Sequence, residues 1–193
     1  MLVTAALLCL ALSILAFLNV WFPILFYGSM LASALLIIFI QKQKLNFKWK
    51  IRPRLILVGS MGLFGVISAL VLGFFQIPFP YTPISLPVVL SLVVLAPIIE
   101  ELLFRQALFQ WILANTQSPL KTNLITSILF AGSHLVSLLL GSTFLLFHIL
   151  QTAASFLIGL TLGSIMLSTR SLSTVMWVHC LFNFSFVVIY LFF

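Results

Sequence analysis

The chain has 193 residues, of which 63% are hydrophobic and only 6% are charged. That composition excludes an ordinary soluble domain and indicates a membrane protein with several spans. Nine basic residues outnumber two acidic ones and give a net charge of +7, but their placement beside apolar runs predicts membrane topology rather than nucleic-acid binding.

Seven apolar runs follow one another along the chain, each close to the roughly 20 residues that a helix needs to cross a bilayer. Backbone polar groups in lipid must be satisfied within the chain, and the runs lack the short alternating pattern of a membrane barrel. The sequence therefore predicts an all-α, polytopic helical bundle that forms one membrane domain. The predicted spans are 2–18, 24–41, 55–76, 85–114, 124–140, 144–167 and 175–193.

The basic residues predict the orientation of this bundle. Six of the nine lie in the connection KQKLNFKWKIRPR at 42–54, which marks that connection as cytoplasmic. Helix counting then places the N-terminus inside, together with the connections that carry Lys121 and Arg170. The connections 77–84 and 141–143 fall outside and carry no charge.

The two acidic residues of the chain are neighbours, Glu100 and Glu101, in the apolar stretch APIIEELLFRQALF. Charged groups inside a bilayer are costly and indicate function by default. Arg105 follows Glu101 by four positions, in the favourable order for an ion pair on one helical face, whereas Glu100 lies about 100° around the helix. We therefore expect Arg105 to neutralise Glu101 and Glu100 to face a reactive site. Pro97 is expected to kink this helix and to free a carbonyl group.

Few polar side chains in the other predicted spans could serve as partners for Glu100. His134 lies in the fifth run, and His179 and Asn183 share one face of the seventh because they are four positions apart. At 1.5 Å per residue, the four groups lie roughly 7 to 20 Å from the cytoplasmic ends of their helices. The sequence therefore predicts that they meet in the cytoplasmic half of the membrane.

Three ordered motifs resemble those of a known family: EELLFR, an F-x-x-x-H motif that ends at His134, and an H-x-x-x-N motif that ends at Asn183. Over residues 84–187 the chain resembles the CPBP intramembrane proteases, also called the Abi or CAAX prenyl protease 2-like family. One position departs from the pattern, because Gln106 stands where the family often has glycine after the motif arginine.

The resemblance implies a membrane-embedded, glutamate-dependent endopeptidase. Residues 84–193 would form the catalytic helical core, and residues 1–83 the N-terminal transmembrane helices with the basic cytoplasmic loop. Membrane lipid and a membrane-associated protein or peptide substrate are the expected partners. The compact size and short connections favour a bacterial cytoplasmic membrane, with the N-terminus inside.

Peptide hydrolysis needs an activated water and a stabilised oxyanion. We expect Glu100 to act as general base and His134 to hold and polarise the water. The resemblance implies that His179 and Asn183 donate hydrogen bonds to the oxyanion. A divalent metal such as zinc stays open, since Glu100, His134 and His179 could form a site with a free water position, although the H-E-x-x-H spacing is absent.

Several residues have structural interpretations beside or instead of functional ones. The Glu101–Arg105 pair could serve structure alone, and intramembrane histidine and asparagine often join helices. His148 matches no family motif and is predicted to be structural. The spacing of Gly159 and Gly163 predicts close helix packing. Cys9 and Cys180 are predicted to act as small apolar residues.

Two other classes of function compete with the protease. One is a proton- or cation-coupled transporter that uses Glu100, although the chain shows no inverted repeat with paired broken helices. The other is a non-catalytic membrane scaffold or a bacteriocin self-immunity protein, which should keep its function when Glu100 is replaced by glutamine.

Overall fold

The computed structural model describes residues 23–47, 55–81, 84–139 and 143–193. Within these ranges the chain forms six continuous helices and no strand, so the predicted all-helical architecture is confirmed. The helices are α1 Pro23–Ile40, α2 Leu55–Phe74, α3 Leu86–Thr116, α4 Pro119–Leu139, α5 Leu145–Thr169 and α6 Leu172–Tyr190.

The predicted count of seven spans is not confirmed. Among the described helices, α2, α3, α5 and α6 are long and apolar enough to cross a membrane, and α1 contributes a shorter apolar stretch. Helix α4 is more polar because it carries a row of buried polar side chains, Thr122, Asn123, Thr126 and Ser127. The first predicted span, 2–18, lies outside the described residues.

Helix α3 changes its winding twice, and the two changes flank the acidic pair. π-Helical turns at Ser91–Leu95 and Leu102–Leu108 bracket the α-helical stretch Ala96–Glu101. Pro97 accounts for the first change, because it has no N–H to donate to a carbonyl of the preceding turn. Single π-helical turns inside α-helices are frequent at functional sites, and Glu100 lies between two of them.

Helices α4 and α5 pack antiparallel with their backbones close together. A Cβ on Gly163 would overlap Oδ1 of Asn123, and one on Gly159 would lie 3.0 Å from Cβ of Ser127. The Asn123 side-chain amide also donates to the Leu160 carbonyl at 3.0 Å. The prediction that Gly159 and Gly163 permit close packing is confirmed, and this contact fixes the position of α4 behind the site.

Helix α6 is held against α2 by a similar contact. A Cβ on Gly65 would overlap the carbonyl oxygen of Phe182, so the two backbones approach each other as closely as only glycine allows. The rings of Phe64 and Phe182 lie 5.6 Å apart beside this point. Phe182 directly precedes Asn183, so this contact fixes the position of α6 next to Asn183.

Residues 41–47, which we call the strap, run across one end of the bundle. The Asn46 side-chain amide donates to the Arg170 carbonyl at 2.6 Å, and the first N–H of α6 donates to the Asn46 carbonyl at 2.9 Å. The strap is also tied to α3, because the buried Gln106 donates to Oε1 of Gln43 at 3.2 Å. Gln106 thus fills a position where glycine would leave the strap without this bond.

The described basic residues outside α3 gather at this same end. Lys42 and Lys44 belong to the strap, and Arg170 is bonded to it. Lys121 lies in the first turn of α4, which begins where the antiparallel α5 ends. We call this the basic end. The opposite end, formed by residues 75–81, 84 and 85, the start of α5 and the end of α6, has no charged residue in the sequence and is called the uncharged end.

Candidate active site

The adjacent carboxylates of α3 point to different surroundings. The side chain of Glu101 is completely buried, whereas that of Glu100 keeps 12% of its surface exposed and lines an internal cavity. Helical geometry separates neighbouring side chains by about 100°, so one helix can present a carboxylate to its packing interface and another to a cavity.

Glu101 forms the ion pair with Arg105 that their spacing predicted, with Nε of Arg105 3.4 Å from Oε2 of Glu101. Both side chains are fully buried. Arg105 also donates from Nη2 to the Gly159 carbonyl at 3.4 Å, and its guanidinium carbon lies 5.0 Å from the ring centre of Phe130. The arginine therefore joins α3 to both α4 and α5, and the pair holds the site's helices together.

A second bond to Glu101 comes from His179, and no spacing or motif in the sequence predicts it. Nδ1 of His179 lies 2.8 Å from Oε1 of Glu101. A carboxylate can only accept, so Nδ1 carries the proton. The other ring nitrogen, Nε2, lies 3.7 Å from Oε2 of Glu100. His179 thus lies between the two carboxylates, and Glu101 fixes its orientation.

His134 reaches the site from α4. Its Nδ1 donates to the Phe130 carbonyl at 2.9 Å, because a carbonyl oxygen can only accept. In a neutral ring Nε2 then keeps its lone pair and can accept a hydrogen bond. The Phe130 ring separates the two histidines, with its centre 5.0 Å from that of His134 and 5.7 Å from that of His179.

Asn183 is oriented by a hydrogen bond to a backbone carbonyl that has no backbone donor because of Pro97. Its side-chain amide donates to the Leu92 carbonyl at 2.7 Å. In the π-helical turn, the N–H of Ala96 reaches the Ser91 carbonyl, so the donor expected for Leu92 would be residue 97, which is proline. The expected free carbonyl is therefore present, and one of the two amide hydrogens of Asn183 occupies it.

The structure brings together all four predicted catalytic side chains. Glu100, His134, His179 and Asn183 line one cavity of about 400 Å³. Glu101 and Arg105 are not among its lining residues and lie behind His179. Polar residues that no sequence motif indicates also line this cavity, and they are Tyr27, Ser68, Tyr81, Ser133, Gln151 and Ser155. Gln151 could have been found by the rule that selected Asn183, namely a polar group in an apolar run.

The residues considered as metal ligands do not converge on one position. Among the described residues, no group of three or more His, Cys, Asp or Glu side chains is arranged to hold a metal ion. Glu100 and His179 face each other, and Nδ1 of His179 and Nδ1 of His134 are engaged by Glu101 and by the Phe130 carbonyl, so Nε2 of each ring is the nitrogen that could bind a metal.

The residues predicted to be structural, one histidine and two cysteines, are not among those that form the site. His148 is buried near the start of α5, where its Nδ1 lies 3.3 Å from Oε1 of Gln151, and it does not line the cavity. Cys180 is a half-buried free thiol on α6, and Cys9 lies outside the described residues.

The helix bounds place Glu100 close to the middle of α3. At 1.5 Å per residue, it lies roughly 21 Å from Leu86 and roughly 24 Å from Thr116. This is farther from the basic end than helix counting along the sequence had predicted, because α3 extends to Thr116.

Comparison with known proteins identifies a family. The family model described as "Type II CAAX prenyl endopeptidase Rce1-like" matches residues 81–185. This range covers more than half of the chain and contains all six residues of the predicted site. No curated protein and no solved structure matches the chain.

Proposed function

Since the chain belongs to the Rce1-like type II CAAX prenyl endopeptidases, a family of proteases, we propose that it is an intramembrane endopeptidase whose general base is Glu100. One observation carries the proposal: side chains from α3, α4 and α6 that can activate water and stabilise an oxyanion line the same cavity. The surrounding wall is largely apolar, and such a setting strengthens electrostatic interactions with the reacting atoms.

In the first step Glu100 takes a proton from a water molecule while the water oxygen attacks the peptide carbonyl carbon. Nε2 of His134, with its lone pair fixed by the bond from Nδ1 to Phe130, accepts a hydrogen bond from this water and orients it. A positioned general base contributes typically about 10²–10⁴-fold to such a reaction.

The oxygen of the attacked carbonyl then carries negative charge, and α6 supplies the donors. His179 donates from Nε2 when that nitrogen is protonated, with its ring held by Glu101. Asn183 donates the amide hydrogen that the Leu92 carbonyl does not take. Donors held in place before the reaction lose no free energy to reorganisation.

In the last step the carbon–nitrogen bond breaks, and the proton held by Glu100 passes to the leaving nitrogen. The products are a new carboxyl terminus and a new amine, and Glu100 returns to its starting state. Glu101 and Arg105 support these steps by holding His179 and by joining α3 to its neighbours.

We place the protein in a bacterial cytoplasmic membrane, with the N-terminus and the basic end inside. The support is the grouping of Lys42, Lys44, Lys121 and Arg170 at one end of the bundle, which matches the excess of basic residues on cytoplasmic connections. Its partners are membrane lipid and a membrane-associated protein or peptide substrate.

The test is peptide cleavage by the purified protein in liposomes. A library of membrane-tethered peptides is incubated with the wild type, with Glu100→Gln and with the control His148→Gln, and the products are read by mass spectrometry. Cleavage by the wild type and by His148→Gln, but not by Glu100→Gln, supports the protease. Loss of cleavage on chelation would show a metal requirement. Absence of cleavage in all three, with cellular function kept in Glu100→Gln, would favour the scaffold or immunity protein.

A further inference from the structure

A second concave surface lies between α3 and α6, on the side of α6 that faces away from the candidate active site. It has a volume of about 490 Å³ and shares no lining residue with the cavity that contains Glu100. Its walls come from both helices, and its rim at the basic end comes from the strap. The residues that matter below are Val94 and Ile98 of α3, Trp177, Cys180 and Phe184 of α6, and Phe47 of the strap. We call this surface the outer groove.

The outer groove is apolar along its whole length. Among its described lining residues Ser173 carries the sole hydroxyl group, and that hydroxyl donates to the Phe47 carbonyl at 2.9 Å. Phe47, Trp177 and Phe184 are each more than half exposed, so large rings border the groove and face the surroundings of the bundle. An exposed apolar groove of this kind indicates a site for an apolar ligand.

The length of the outer groove matches one leaflet of a bilayer. Its lining residues on α6 begin at Ser173, one residue inside the helix, and end at Phe184. At 1.5 Å per residue this distance is roughly 16 Å, close to half of the roughly 30 Å hydrocarbon core. A transmembrane helix would need a surface that crosses the whole core, whereas one acyl chain extends through a single leaflet. The length therefore favours an acyl chain as the ligand.

Cations lie beside the rim of the outer groove, and the chain offers them no acidic side chain. Arg170 lies three residues before Ser173, and the Asn46 amide donates to its carbonyl at 2.6 Å. Lys44 lies two residues before Asn46 in the strap, and both cations are exposed. The two acids of the sequence both belong to the candidate active site. An anion that pairs with Arg170 and Lys44 therefore comes from another molecule.

We propose that the outer groove binds an anionic phospholipid from the leaflet at the basic end. One acyl chain lies in the groove between α3 and α6, and the phosphate of the headgroup pairs with Arg170 and Lys44 beside the rim. Trp177, in the second turn of α6, then lies near the membrane interface, where tryptophan is enriched. Basic residues near a membrane surface attract anionic lipids in the same way.

A lipid in this position contacts the two helices that carry Glu100 and His179. It fills the space behind the contact between these helices and should stabilise their packing. The binding itself does not depend on the proposed protease function, and it does not depend on which face of the membrane the basic end occupies.

The proposal is tested with the fluorescence of Trp177, which does not require activity. Trp21, Trp49 and Trp111 are replaced by phenylalanine, so that Trp177 is the remaining indole. This parent protein is placed in liposomes that mix phosphatidylglycerol with phosphatidylcholine. In one set the acyl chains of the anionic lipid alone carry bromine, and in the other set those of the neutral lipid. Bromine quenches a neighbouring indole, so the two sets report which lipid lies beside Trp177.

We expect the parent to prefer the anionic lipid by roughly 25-fold, about fivefold for each of the two cations. Arg170→Gln and Lys44→Gln should each lower the preference to about fivefold. Lys121→Gln removes a charge at the same end on α4, which does not line the outer groove, and should leave the preference unchanged. Val94→Phe narrows the groove without removing a charge and should lower the preference as well.

Equal quenching by the two lipids in the parent would overturn the inference. An effect of Lys121→Gln as large as that of Arg170→Gln would also overturn it, because the preference would then follow the total charge of the basic end. A preference that Val94→Phe leaves intact would place the lipid outside the groove. A protein ligand is detected through Cys180: with Cys9 replaced by serine, a disulfide-linked dimer on oxidation would place a second copy there instead.

A second measurement uses the chain with all four tryptophans. Phosphatidylglycerol added to the protein in detergent should raise the unfolding temperature more than phosphatidylcholine does, and the difference should shrink in Arg170→Gln and persist in Lys121→Gln. The same rise with both lipids would contradict a site that selects an anionic headgroup.

Discussion

Nδ1 of His179 lies 2.8 Å from Oε1 of Glu101, the carboxylate that also pairs with Arg105. One buried carboxylate thus pairs with a cation on its own helix and accepts a hydrogen bond from a histidine on another helix. This arrangement assigns different tasks to two adjacent acids. Glu101 organises the helices and the ring of His179, while Glu100 faces the cavity and is available for chemistry.

Replacing Glu101 by glutamine should therefore destabilise the protein. The variant leaves Arg105 as a buried charge without its carboxylate, and the loss is expected to be about 3–5 kcal/mol. The double variant Glu101→Gln/Arg105→Met removes that charge and should regain much of the stability, but not the cleavage rate, because His179 still lacks its carboxylate. Thermal unfolding in detergent and peptide cleavage measure the two effects. A double variant as unstable as Glu101→Gln would contradict this account.

Asn183 should have a structural task and a chemical task that can be separated. Asn183→Ala leaves the Leu92 carbonyl without its donor, at a cost of about 1–3 kcal/mol. Adding Pro97→Ala supplies a backbone N–H in the same turn, so the double variant should be more stable than Asn183→Ala.

Cleavage by that double variant should stay low, because the donor to the oxyanion is still missing. Unfolding temperature and kcat, measured on both variants and on Pro97→Ala alone, separate the two tasks. If cleavage recovered together with stability, Asn183 would only stabilise α3 and would not donate to the oxyanion.

Part of this site could be predicted from the sequence. The Glu101–Arg105 pair follows from a spacing of four, the shared face of His179 and Asn183 from the same rule, and the free carbonyl from Pro97. The bond from His179 to Glu101 could not be predicted, because it depends on how α6 is rotated against α3. That rotation is set by packing between helices, such as the contact of Gly65 with Phe182.

The same limit applies to the fold and the cavity. The length of an apolar run predicts a helix. It does not predict how many helices cross the membrane, because a helix such as α4 can bury polar side chains against its neighbour. Nor could it show which end of the bundle the cavity occupies. Phe79 and Tyr81 lie in a short connection, and the packing of Phe79 against α5 and α6 has no local sequence signal.

The close packing of α4 and α5 predicts opposite outcomes for two glycine substitutions. Gly163→Ala places a methyl group on Oδ1 of Asn123 and should cost about 1–3 kcal/mol. Gly132→Ala, also in a helix, meets nothing within 4 Å and should stabilise α4 by about 1 kcal/mol or less. Thermal unfolding of both variants is the measurement. The account would be wrong if Gly163→Ala were neutral, and Asn123→Ala should relieve its effect.

The strap should loosen when Gln106 loses its side-chain amide. Gln106→Ala removes the bonds to Oε1 of Gln43 and to the Lys44 carbonyl, for an expected loss of about 1 kcal/mol. Trypsin should then cut faster after Lys44 in detergent, which mass spectrometry of the fragments detects. Gln110→Ala, on the same helix, serves as the control and should leave the cutting rate unchanged. Equal rates in both variants would show that Gln106 does not hold the strap.

The most direct test of the central claim compares Glu100→Gln with the wild type for both cleavage and stability. Glutamine keeps the shape of the side chain but cannot take a proton from water. The claim predicts that kcat falls by about 10²–10⁴-fold while the unfolding temperature is unchanged or higher, since one of two adjacent negative charges is gone. Cleavage within tenfold of the wild type, on the order of 1.4 kcal/mol, would contradict the claim that Glu100 is the base.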